Sequence, residues 1–128
     1  MPLPGAYIRI ALALALLATL MGCGGDLRLP GGYLLEKWEG RSAFYLWAPD
    51  SRHEGGGAID GTVQRIAWND EVIVAERYST FRGDPDGWME IDIRSRKVAG
   101  PLSDAQFAHL QARHQFKILS ASDAWAIR

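Results

Sequence analysis

Glu90 and Asp92 stand two apart in the run Trp88-Met89-Glu90-Ile91-Asp92-Ile93-Arg94. On an extended chain, alternate side chains leave the same face, so both carboxylates project together. Two acids held about 5 to 9.5 Å apart across a cleft are what glycoside hydrolysis requires. Every alternating strand offers that spacing, and a chain this short supplies no second lobe to close a cleft. His109 and His114 are five apart, which turns them about 140° from each other on a helix of 3.6 residues per turn. They cannot share a metal as an i, i+4 pair can, and His53 lies in a separate Gly-rich loop. Asp84-Pro85-Asp86-Gly87 has the acids of a calcium loop but lacks the third oxygen position before its glycine and the glutamate at position 12; it reads as a turn. Gly55-Gly56-Gly57 has no following Lys-Ser/Thr to make a phosphate cradle, and no Gly-x-Ser-x-Gly elbow occurs. The residue types therefore predict no catalytic residue, no metal and no cofactor.

One position does point to a covalent reaction. Residues 20 to 23 read Leu-Met-Gly-Cys and close an apolar run, Ile10 to Met21, that follows a short start carrying Arg9. The run is too short for the roughly 20 apolar residues of a membrane span, and a charged start, a short apolar centre and a small residue before the cut are the parts of a secretory signal. The segment resembles a bacterial lipoprotein signal peptide with its lipobox. That resemblance implies cleavage before Cys23, diacylation of its thiol, acylation of the new N-terminus, and a protein held on a membrane by several acyl chains. One chain alone anchors only marginally, whereas two or more hold. It further implies the outer membrane, facing the periplasm, because Gly24 stands where inner-membrane lipoproteins commonly carry Asp; Asp26 nearby keeps the inner membrane as the alternative.

Cleavage after residue 22 removes Arg9 alone from the 14 basic side chains and none of the 15 acidic ones, so the net charge moves from −1 to about −2. A chain without basic excess is a poor ligand for phosphate backbones, which excludes nucleic acid as the expected partner. With one cysteine there is no intramolecular disulfide. The glycines and Pro30 of residues 23 to 32 predict a flexible tether, leaving 33–128 as a single periplasmic domain.

Two hairpins are expected in that domain. Residues 33–38 and 42–47 flank Glu39-Gly40-Arg41, and residues 62–68 and 71–78 flank Asn69-Asp70, a pair that tolerates tight turns. The 88–94 run alternates Met89, Ile91 and Ile93 against Glu90 and Asp92, the pattern of a strand with one wet face. The period then lengthens. Ser103-x-x-Gln106 is a capping box, and Phe107, Leu110 and His114 share one helical stripe running to about Gln115. Residues 116–119 suggest a last strand and Ser122 to Trp125 a capped terminal turn, with Trp125 over one end of the core. The expected fold is α+β: a small antiparallel sheet of about five to six strands with one C-terminal helix packed on it. Gly32-Tyr33, the strand from Gly87-Trp88 to Asp92, and Leu102-Ser103 together resemble a group of small bacterial lipoproteins that brings no catalytic residues.

Five tryptophans, at 38, 47, 68, 88 and 125, are many for such a domain. Most are expected in the core, because a small sheet needs large side chains to bury enough apolar area. Trp38 and Trp88 are the expected exceptions, each sharing a strand face with acids, Glu36 in one case and Glu90 with Asp92 in the other. Exposed Trp beside charge suits contact with an envelope protein or a glycan. The reading is a non-enzymatic, membrane-anchored binding module. Its alternative is an inhibitor or immunity protein that presents a loop, residues 49–61 or 79–87, to a wall-degrading enzyme; the weakest of the three is a glycan-processing enzyme using Glu90 and Asp92.

Overall fold

The computed structural model describes residues 25–38, 40, 42–49, 57–79, 83 and 85–128. The expected signal segment, Cys23, His53 and Asp84 lie outside the described residues. Among those described, eight strands form two antiparallel sheets. Leu27–Arg28 (β1), Leu34–Trp38 (β2) and Ala43–Trp47 (β3) make the first sheet in that order. Thr62–Trp68 (β4), Val72–Tyr78 (β5), Gly87–Asp92 (β6), Val98–Ala99 (β7) and Leu119–Ser120 (β8) make the second, in the order β7-β6-β5-β4-β8. The helices are Asp104–His114 (α1) and Ala121–Ala126 (α2). The α+β class is as expected, with the strands shared between two sheets.

Local chemistry sets the turns and caps. In the β4-β5 turn the Asn69 carboxamide oxygen accepts from the Glu71 and Val72 amides at 2.8 and 2.9 Å, which fixes the chain reversal without a glycine. Ser103 accepts from the Gln106 amide while the Gln106 side chain accepts from the Ser103 amide, so both halves of the capping box form. Ser120 caps α2 by accepting from the Asp123 amide at 3.0 Å.

Alternation along the second sheet feeds two cores. Val63, Ile66, Ile73, Ala75, Met89 and Ile91 face the first sheet and pack with its Leu35, Phe44 and Leu46 and with Ala121 and Ala124 of α2. Ala67, Val72 and Val74 face the other way, against Leu110 and Phe116 with Phe107 and Trp88. The molecule is thus layered: first sheet, second sheet, α1. Burying a Leu or Ile outright is worth about 1.5–3 kcal/mol, and Leu35, Leu46, Ile66, Ile73 and Ile91 all sit fully buried in the first core.

A bulge in β4 explains one departure from simple period two. Val63 pairs with Arg77 and Arg65 pairs with Glu76, so Gln64 is the extra residue. Beyond it the faces exchange, and Arg65 lands on the α1 side of the sheet.

Residues 27–32, expected as part of a tether, belong to the folded body. Leu27 pairs with Leu35 and Arg28 with Leu34, and Leu27 and Leu29 are 7 % and 4 % exposed in the first core. The Leu29 amide donates to the Tyr33 carbonyl at 2.8 Å across a one-turn 3-10 segment, Pro30–Gly32. Two leucines on either side of Arg28 bury enough apolar surface to hold a stretch whose glycines suggested freedom.

Candidate binding site

One face of the first sheet covers the core and the other does not. In the β2-β3 ladder Leu35 pairs with Leu46 and Lys37 with Phe44, while Glu36 pairs with Tyr45, Leu34 with Trp47 and Trp38 with Ala43. The second set points away from the core and brings three aromatic rings and a carboxylate onto one surface. Trp38 is 51 % exposed. Its indole meets the Tyr45 ring edge-on at 5.4 Å and 86°, and Tyr45 lies 6.5 Å from Trp47 with 35° between the rings.

The segment after β3 turns this face into a groove of about 330 Å³, lined by Glu36, Trp38, Tyr45, Trp47, Gly57, Asp60 and Gly61. The Ala58 amide donates to the Leu46 carbonyl at 2.7 Å, which holds that segment along β3. A Cβ on Gly57 would lie 2.5 Å from the Leu46 carbonyl oxygen, and one on Gly61, at φ +95°, 2.7 Å from that of Tyr78. Only glycine lets the backbone approach both strands this closely.

Trp38 is therefore where the sequence places it, exposed and beside Glu36. Trp88 is not. Its ring stacks on Phe107 of α1 at 4.3 Å and 13°, and the Arg65 guanidinium lies over it at 5.2 Å. Arg65 in turn makes two hydrogen bonds to Glu76, at 3.1 and 2.6 Å, which hold its guanidinium above its ordinary pKa. The strand face expected to be wet is the one that α1 covers, so Trp88 leaves the candidate surface.

The other singled-out residues have structural partners. Asp92 accepts from the Ser95 amide at 2.8 Å, closing the turn after β6; this bond, before all else, holds its carboxyl below the usual range. Glu90 is half-buried on the α1 side, in a shallow depression with Ala99, Leu102 and His109. Asp86 accepts from the Ser79 amide at 2.8 Å, and Arg77 donates to the Pro85 carbonyl at 2.8 Å, which makes this stretch the closing side of a turn. His114 shares a 2.9 Å hydrogen bond with Asn69 and stacks on Phe116 at 5.0 Å. Since the Asn69 oxygen faces two backbone amides, its amide nitrogen is the donor and His114 Nδ1 the acceptor. Among the described residues no three His, Cys, Asp or Glu side chains converge to hold a metal ion, and no helix is long and apolar enough to cross a membrane.

Protein-family models, curated proteins and solved structures all return no match to this chain. The site rests on its own geometry. Sequence reasoning left Trp47 in the core and did not single out Tyr45 or Asp60. The β2-β3 register held the missing signal, because a hairpin that sets Trp38 opposite Ala43 puts residues 45 and 47 on the Trp38 face.

Proposed function

We propose that this chain is a membrane-anchored periplasmic lipoprotein, seated on the outer membrane through an acylated Cys23, that works by binding and performs no chemistry of its own. The observation carrying the binding role is the outward aromatic face of the first sheet. Trp38 is exposed and Tyr45 and Trp47 are half-buried beside Glu36 and Asp60, on a sheet whose opposite face sends Leu35, Phe44 and Leu46 into the core. Rigid aromatics are the side chains that most often anchor contacts. The partner is an envelope protein or a glycan, presented with a concave, mildly acidic surface.

The anchor adds a constraint. β1 begins at Leu27, so a lipid-bearing Cys23 stands at most about 13–14 Å of extended chain from the folded body. The domain is then held against the headgroups with little freedom to wander, and its partner must come to the membrane surface.

Intact mass and membrane fractionation of the native chain beside Cys23→Ser test the anchor. Diacylglycerol plus an acyl chain on the wild type, with sedimentation among outer membranes that the variant loses, is the expected result. An unmodified, soluble wild type would overturn it.

A further inference from the structure

We infer that the groove over the first sheet is a saccharide site, built to take an uncharged pyranose unit by stacking on its rings and hydrogen bonding at its acidic edge. This rests on the binding role proposed above and names the ligand class for the same surface. A pyranose presents an apolar C–H face and a rim of hydroxyl donors. The groove offers the complement of both. Tyr45 and Trp47, half-buried with 35° between their planes at 6.5 Å, offer the ring surface they leave in the groove to the C–H face, with Trp38 beside Tyr45. Glu36 and Asp60 line the same groove. A carboxylate has about four acceptor positions, the complement of a rim of hydroxyl donors.

The same rings argue against the obvious rival, a cationic side chain in an aromatic cage. A cage needs ring faces converging on one point, whereas the Tyr45 and Trp47 planes lie within 35° of each other. Anionic sugars are disfavoured by two carboxylates in the groove. The volume, about 330 Å³, lies at the small end of the ~300–1,000 Å³ typical of small-molecule sites. An open site of this kind holds a few sugar rings weakly, with a Kd of order 1 mM.

Saturation-transfer NMR on the full chain, kept in a sugar-free detergent, reads this directly. The probes are maltotriose, cellobiose and N,N′-diacetylchitobiose, with trilysine as the cationic comparison. At least one neutral sugar should receive saturation from the protein. Trp38→Ala should weaken it about tenfold and Glu36→Gln about fivefold, while Arg94→Ala, on the turn after β6, leaves it unchanged. Trp38 is half exposed and Glu36→Gln isosteric, so neither change threatens folding. Silence from all three sugars, binding indifferent to Trp38→Ala, or trilysine binding in their place would each overturn the saccharide assignment. If the sugars fail while a photocrosslinker at position 38 still captures an envelope protein, only the ligand class falls; if that capture fails too, the binding role falls with it.

Discussion

Trp38 and Tyr45 touch across the first sheet although they are not cross-strand partners. Trp38 pairs with Ala43 and Tyr45 with Glu36, so the indole reaches its neighbour on the diagonal, lying edge-on at 5.4 Å. The small Ala43 opposite leaves room for that lean, and diagonal contacts of this length are within reach of aromatic side chains. The pair is a surface feature, so it should contribute little to folding. Trp38→Ala is expected to cost about 1 kcal/mol in urea unfolding, whereas Leu35→Ala, three residues back on the buried face of the same strand, should cost about 2–5 kcal/mol. Equal costs would place Trp38 in the core and remove it from the binding surface.

On the opposite side of the molecule, Trp88 and Phe107 are predicted to act together. Their stacked rings join β6 to α1, and each single truncation to Ala should destabilise by about 2–3 kcal/mol. In a double-mutant cycle the pair should show a coupling of about 0.5–1.5 kcal/mol. Additive losses would mean that the two rings contribute independently and that their stacking adds nothing.

Leu29 distinguishes a folded start from a tether. Because it is buried in the first core, Leu29→Ala should destabilise by about 2–4 kcal/mol, measured as a shifted denaturant midpoint at unchanged slope. A true tether residue would leave the midpoint where it was.

Two groups set opposite pH limits. Tyr33 is 2 % exposed, and burial raises its phenol above the ordinary value, with Asp92 adding to the rise and Arg96 opposing it. A folded pKa above the unfolded one gives stability that is complete below about pH 10 and is lost as pH climbs through the folded value. Tyr33→Phe should remove this alkaline decline. For Asp92 the sign reverses. Its lowered carboxyl contributes stability above the ordinary carboxylate range, and acidification through the folded value takes it away. Asp92→Asn should flatten that acid limb, read by denaturant titration at successive pH values.

The elements written in local chemistry were legible. The Ser103–Gln106 capping box, the Asn69 turn and the strict alternation around Met89 and Ile91 each carry a signal within a few residues, and each is found in place. What escaped depends on distant partners. Leu27 and Leu29 sit among glycines and gain their structure only from Leu35 and the core beyond. Trp88 shares its face with Glu90 and Asp92, which suggested water, yet α1 from the next stretch of chain lies over it. The division into two sheets lies in strand pairing, β3 with β2 alone and β4 with β5 and β8, which no local pattern encodes. At the candidate site, Trp38 was visible by its neighbours, while Tyr45 and Trp47 required the hairpin register and Asp60 required the close approach permitted by Gly57 and Gly61.

The binding role itself is tested most directly by photocrosslinking in intact cells, with a photoreactive aromatic residue placed in turn at Trp38, Tyr45, Arg94 and His109 of the full chain. Adducts from positions 38 and 45, absent from 94 and 109 and lost with Cys23→Ser, are the predicted result. Adducts confined to 94 or 109, or a silent first sheet in cells where the chain is membrane-bound, would contradict it.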